Sequence, residues 1–300
     1  MRIVPSGQTL GATVEDLDLA SPMTEAEFAA ALAALGRYGV LRFPGQVLEP
    51  GQLKAFAGRF GSLEIHVASM FQDPVHPQVM TLSNIKRDGQ PIGLSDAGQD
   101  WHTDMSYSEP KGFANVLYGT VIPSRNGQPL GATEFADMAA AYDDLPETVR
   151  ERLKGAIATH DYNKFWEEMR KRPGSTRPPM SEAQRRRKPP VPQPMLLRHP
   201  VSGRMILYAD PGYTVSIDGW DAAESQAMLD YLFEHQLNPK YRYVHHWTEN
   251  DVVVCDNLRT LHNARPDYGP DEHRLVKRCQ VMADRVFDPA FAAQAQMEPA

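Results

Sequence analysis

From Gln78 onward the chain breaks into short β-branched or aromatic runs that never settle into strand–helix alternation. Nothing else in the sequence limits its fold as tightly. Residues 79–84, 102–107, 115–122, 205–209, 241–247, 251–256 and 274–282 each read as a strand bounded by Gly, Pro, Asn or Asp. Helical patterns interrupt them at about 137–153 and 222–236. A doubly wound parallel sheet needs a helix after nearly every strand. The pattern therefore favours a two-sheet sandwich or jelly roll with helices packed outside.

The first third is more helical. Thr24 and Glu27 fit a capping box, and Phe28, Leu32 and Leu35 follow on one face. Val40 to Phe43 reads as a strand closed by the Pro44-Gly45 turn. Pro50 to Phe60 reads as a second helix burying Leu53, Phe56, Ala57 and Phe60. No internal repeat divides the chain, so residues 1–300 are expected to form a single domain. Residues 163–194 stand apart as a Pro-, Arg- and Lys-rich excursion, and a loop of this length inside a domain is expected to be a lid or a flexible insertion.

Charge and apolar patterning exclude several classes. The formal net charge is −7, which argues against nonspecific nucleic-acid binding, and the run Arg185-Arg186-Arg187-Lys188 is read as a solvated face. The N-terminus has no apolar signal core, and no run of about 18 apolar residues could span a membrane. A cytoplasmic chain is expected, with Cys255 and Cys279 as buried reduced thiols.

The chemistry-bearing stretch is "DWHTDMSY", residues 100–107. With ten histidines in the chain, roughly one His-x-Asp triplet arises by chance, so His102 and Asp104 need context. If 102–107 is a strand, alternation puts both side chains on one face, where they can converge on one metal. A facial triad needs a third ligand, and His262, after a buried-looking strand and the turn-like "DNLRT", supplies the candidate. Arg274 and Arg278 are four residues apart in an apolar strand pattern, so both should face inward. Each is costly there unless it meets an anion. His245 and His246 are adjacent in a strand and point to opposite faces, so they are not read as a metal pair.

At these residues the chain resembles the Fe(II)/2-oxoglutarate dioxygenases related to taurine dioxygenase and chlorophenoxyacetate dioxygenase (the TauD/TfdA family). The resemblance runs through "GVLRFPGQ", "FAGRFGSLE", "WHTDMSY", "GATEFADMAAAYDDLP", "HP…GR…LY", "DNLRTLHNARPDY" and "HRLVKR". It implies an α+β fold, a double-stranded β-helix (a cupin-like jelly roll) with flanking helices. It further implies that His102, Asp104 and His262 hold Fe(II), and that Thr133 and Arg274 grip the distal carboxylate of 2-oxoglutarate. Arg278 would face the acidic end of the primary substrate or the metal-bound end of the co-substrate, and His66 would touch substrate. The implied reaction consumes O2, converts 2-oxoglutarate to succinate and CO2, and oxidises a small-to-medium anionic organic substrate. Relatives commonly self-associate, so a homo-oligomer is expected. A Zn²⁺ metallohydrolase or a non-catalytic ligand-binding jelly roll could use the same three ligands, but neither gives Arg274 and Thr133 a task. Members that accept a small aminosulfonate carry Tyr and Asn where this chain has Ser69 and Gly98, so a wider, less polar pocket is expected. Cys255 stands where a tryptophan is expected.

Overall fold

The computed structural model describes residues 1–66, 69–172 and 178–296, with only the backbone of Ser69; the expectation at that side chain lies outside the described residues. Thr24 and Glu27 form the reciprocal cap. Thr24 Oγ1 accepts from the Glu27 backbone N–H at 3.2 Å, and Glu27 Oε2 accepts from the Thr24 N–H at 2.8 Å. They start a helix, Glu25–Tyr38, that buries Phe28, Leu32 and Leu35 and ends at Gly39 in the left-handed region. The second helix is shorter than its apolar pattern predicts. It covers Pro50–Ala57 and stops at Gly58, yet Phe60 beyond it is fully buried edge-on to Phe28 and Phe56.

The main sheet has seven strands. In spatial order they are Arg2–Pro5, Ala12–Glu15, Val40–Phe43, Asp251–Asp256, Gly112–Val121, Leu275–Met282 and Met80–Ser83. Asp251–Asp256 is buried at every position, as its unbroken apolar run requires. A second sheet has Thr133–Asp137 at its centre, between Arg242–His245 and Thr260–Ala264. Its antiparallel register sets Phe135 opposite His262 and Thr133 opposite Ala264. Thr133 and Phe135 are two apart, so Thr133 and His262 share a face. A third sheet joins Ile157–His160 to Val191–Pro194 and Thr214–Ile217.

Two expectations fail locally. Residues 102–107 form turns rather than a strand: Asp100 and Met105 have φ of 68° and 65°, and only an isolated bridge pairs His102 with His262. Left-handed backbone at both ends is incompatible with an extended run. The helix expected over 137–153 is two helices, Met138–Asp143 and Glu147–Leu153, separated at Pro146, which has no N–H to continue the first. The helix at 222–236 is present as Ala222–Gln236. Within the excursion, Tyr162–Arg170 and Glu182–Arg187 are helices, while residues 173–177 lie outside the described residues. Arg185, Arg186 and Arg187 are exposed, as a solvated face should be. Both cysteines are buried and free, and burial pushes each thiol up to about 12. Among the described residues no helix is long and apolar enough to cross a membrane.

Candidate metal centre

His102, Asp104 and His262 come together although the strand argument for the first two fails. One ligand atom from each lies within 4.8 Å of the others, and all three residues are buried. A tight turn, rather than β alternation, aims both His102 and Asp104 inward. The bridge to Thr260–Ala264, with His102 N–H to His262 O at 3.1 Å and His262 N–H to His102 O at 2.8 Å, fixes one histidine against the other. Gly212 makes room, since a Cβ there would stand 2.7 Å from His102 Cβ. The Asp210-Pro211-Gly212-Tyr213 loop can therefore pack closely against His102, with the Tyr213 ring edge-on to the imidazole. Asp210 braces it, accepting from Tyr213 N–H at 2.8 Å and from Ser106 Oγ at 3.1 Å.

The donor set suits a divalent ion. His102 Nδ1 sits 2.7 Å from Asp100 O, an atom that can only accept. Nδ1 therefore carries a proton, and Nε2 is the ring nitrogen that faces Asp104 Oδ1, at 3.6 Å. His262 Nε2 lies 4.0 Å from Asp104 Oδ2. Burial drives the pKa of His262 down to about 3, helped by His102. Burial pushes the Asp104 carboxyl up, but Arg278 first, and then both histidines, outweigh it and hold the group well below the usual carboxylate range. A neutral imidazole and an ionised carboxylate are the forms that ligate metal.

The arginines divide the surrounding space. Arg274 is 7% exposed, its Nε has no hydrogen-bond partner, and among the described residues no carboxylate lies within 4.0 Å of its guanidinium. Burial lowers its pKa, with only Tyr268 and then Asp267 opposing. Such a cation calls for an anionic ligand. Thr133 is buried on the neighbouring sheet, and its Oγ1 accepts from Trp247 Nε1 at 3.0 Å. That bond leaves the Thr133 hydroxyl hydrogen to donate elsewhere. Trp247, just past the Arg242–His245 strand, also belongs to the same apolar cluster as Cys255.

Arg278 departs from expectation. The buried guanidinium was expected to rely on substrate for its acceptor, but Asp104 Oδ2 lies 3.2 Å from its Nη1. Among the described residues its Nη2 reaches only Met80 Sδ at 3.7 Å, and its Nε has no partner. One N–H of the fork is thus taken, and Arg278 lines a cavity of about 460 Å³. That cavity also touches His66, His102, Asp104 and Gly98, and Tyr107, Tyr162, Phe165, Trp166 and Tyr213 form an aromatic wall. Burial, with Arg278 adding to it, lowers His66 to about 4, so at neutral pH the ring offers hydrogen bonds rather than charge. The Gly98 position is open: among the described residues only Ala264 Cβ comes within 4 Å of where a side chain would start. His245 is buried against Trp247 and His246 is exposed, on opposite faces as alternation requires.

Sequence reasoning missed Asn115, Asp210 and Trp247. The signal for Asn115 was a polar residue inside the otherwise apolar run 113–119.

Residues 2–280 match the model of the family described as "Taurine catabolism dioxygenase TauD, TfdA family". The chain is 33% identical over 283 residues to an alpha-ketoglutarate-dependent 2,4-dichlorophenoxyacetate dioxygenase of Burkholderia sp. (strain RASC), covering 91% of each chain. It is 33% identical over 279 residues to the (S)-phenoxypropionate/alpha-ketoglutarate-dioxygenase of Delftia acidovorans, covering 89% of this chain and 90% of the relative. Among solved structures it resembles AAD-2 in complex with Mn(II) and N-oxalylglycine, with a TM-score of 0.80 and 27% identity, covering 95% of this chain and 99% of that one.

Proposed function

The chain belongs to the TauD/TfdA dioxygenase family, and from that premise we propose that it oxidises a small-to-medium organic acid using Fe(II), 2-oxoglutarate and O2. The observation that carries this reading is the buried His102–Asp104–His262 cluster with Arg278 paired to Asp104, together with Arg274, buried four residues before Arg278 with no carboxylate within 4.0 Å among the described residues. His102, Asp104 and His262 would hold the iron. When bound, iron supplies the chemistry that activates O2, with 2-oxoglutarate leaving as succinate and CO2 while one oxygen atom enters a substrate C–H bond. The double-stranded β-helix is the finer reading of the fold, supported by the two sheets that converge on the site. We place the enzyme in the cytoplasm as a homo-oligomer; sedimentation at micromolar concentration giving only a monomer would remove the second part.

The side chains hold and orient. Arg274 presents two parallel N–H groups to a carboxylate, and Thr133, braced by Trp247, adds a third donor. Arg278 offers its free edge to the acidic end of the primary substrate, and His66 lies within reach of the same cavity. An acid held there fixes which C–H faces the metal. The aromatic wall excludes water and matches a flat apolar body. Because the two relatives above are named for aryloxyalkanoates, those acids head the substrate class, ahead of sulfonates and sulfate esters. A succinate-release screen across these acids tests the reading. Release that requires both Fe(II) and one of these acids is expected, and none with any of them would count against it.

Two smaller expectations follow. Arg274→Lys keeps the charge but loses the fork. The KM for 2-oxoglutarate should rise at least about tenfold, or about 1.4 kcal/mol, and an unchanged KM would move the carboxylate anchor elsewhere. The second concerns residues 163–194, read as a lid. Phe165 and Trp166 from the Tyr162–Arg170 helix and Gln184 from Glu182–Arg187 border the cavity, and the Phe165 ring lies 5.0 Å from that of His102. Arg172, just past the first helix, donates to Gln99 Oε1 at 2.7 Å and pairs with Asp100. Limited proteolysis should cut this segment more slowly with Mn(II), N-oxalylglycine and 2,4-dichlorophenoxyacetate present. Equal rates with and without them would argue for a plain insertion.

A further inference from the structure

The Asp104 carboxylate is gripped on one oxygen only. Oδ2 accepts from Asn115 Nδ2 at 2.9 Å and from Arg278 Nη1 at 3.2 Å. Among the described residues Oδ1 meets only its fellow ligand His102, whose Nε2 lies 3.6 Å away. Asn115 is 1% exposed in the middle of the Gly112–Val121 strand, between Cys255 on one neighbour and Gln280 on the other. Its Nδ2 reaches a second acceptor, Asn257 Oδ1, at 3.3 Å. An amide nitrogen has two hydrogens for two acceptors, whereas a hydroxyl has one and a carboxylate none. Turning the amide over would set Oδ1 against the carboxylate, so the chemistry fixes its orientation.

The support behind Asn115 is itself fixed. Asn257 N–H donates to Phe113 O at 2.8 Å, and Asn257 O accepts from Thr103 Oγ1 at 2.5 Å. Thr103 is the residue between the two ligands of the His-x-Asp triplet. Gly112 lets the turn close on the strand, because a Cβ there would stand 2.8 Å from Asp104 O and 3.3 Å from Asn257 Nδ2.

Resting on the assignment of Asp104 as a metal ligand, we propose that Asn115 is a positioning residue of the metal centre. With Arg278 it saturates Oδ2, so Asp104 offers the ion Oδ1 alone. A carboxylate binding through one oxygen takes one coordination position. Binding through both would take two and crowd a co-substrate chelate that needs two of the three positions left open by the triad. Arg278 is the less constant of the two donors, because it also lines the cavity given to the substrate, whereas Asn115 does not. Asn115, enclosed in the sheet, keeps its hold on Asp104 while substrate draws on Arg278.

Mn(II) and N-oxalylglycine serve as probes that need no turnover. Electron paramagnetic resonance titration gives the Mn(II) dissociation constant of the wild type, Asn115→Ala, the near-isosteric Asn115→Leu and Asp104→Asn. Thermal unfolding of the metal-free proteins monitors the fold. Both Asn115 variants should bind Mn(II) roughly tenfold or more weakly, the lower end of the effect of losing an outer partner of a ligand. The line shape of the bound ion with N-oxalylglycine should also change, in whichever Asn115 variant unfolds within a few degrees of the wild type. Wild-type affinity and line shape in such a variant would overturn the role given to Asn115. Mn(II) binding in the wild type that ignores Asp104→Asn would instead overturn the ligand assignment beneath it.

Discussion

Asp104→Asn is expected to reduce substrate-dependent succinate release to background, a loss on the order of 10³-fold or more, or about 4 kcal/mol. The reason is geometric as well as electrostatic. Asn115 and Arg278 both donate toward the Oδ2 position, so the amide oxygen of the variant settles there. The NH2 group is then left facing the metal position, and it has no lone pair to give. Volume and a hydrogen-bond acceptor for Asn115 and Arg278 are kept, although Arg278 loses its counter-charge. Asp104→Ala takes away that charge as well and also removes the acceptor, leaving both donors buried without a partner at that position. The metal-free unfolding midpoint should therefore fall less in the asparagine variant than in the alanine variant. Turnover by Asp104→Asn within tenfold of the wild type would remove Asp104 from the reacting centre.

Arg278→Ala should cost an anionic substrate roughly 2–4 kcal/mol in kcat/KM, the range for truncating one partner of a buried charged pair. Part of that loss comes through Asp104, since Arg278 Nη1 holds its Oδ2, and rate alone cannot assign the remainder to the substrate. The ratio of free acid to methyl ester isolates it. The wild type should prefer the acid strongly, and Arg278→Ala should lose most of that preference while converting more 2-oxoglutarate without product. If the wild type turned over ester and acid equally well, Arg278 would not be the anchor for the substrate's acid.

What could be read in advance divides by range. Short-range features were legible because neighbouring residues decide them. Examples are the Thr24–Glu27 cap, the buried run 251–256 and the opposed faces of His245 and His246. The three triad residues do come together, but the argument for His102 and Asp104 was partly wrong. The alternation argument needs a strand at 102–107, whereas left-handed residues at 100 and 105 make a turn there. Nothing in the local composition announces that. Arg274 and Arg278 are both buried as the strand pattern implies, but the partner of Arg278 depends on a turn 174 residues away. Asn115 and Trp247 act across strand registers that one sequence does not reveal, Trp247 on a threonine 114 residues distant. The width of the pocket at Gly98 was legible because glycine has no side chain to fill it. The aromatic wall was not, because it comes from three separate segments.

The central claim is that His102, Asp104 and His262 form one site that accepts iron and 2-oxoglutarate together. Anaerobic addition of 2-oxoglutarate to the Fe(II)-loaded protein tests it most directly, because a weak visible charge-transfer band arises only when keto oxygen and carboxylate chelate the same ion. The band should appear and saturate with 2-oxoglutarate in the wild type and be absent in Asp104→Asn. No band in the wild type, or an equal band in Asp104→Asn, would contradict the claim.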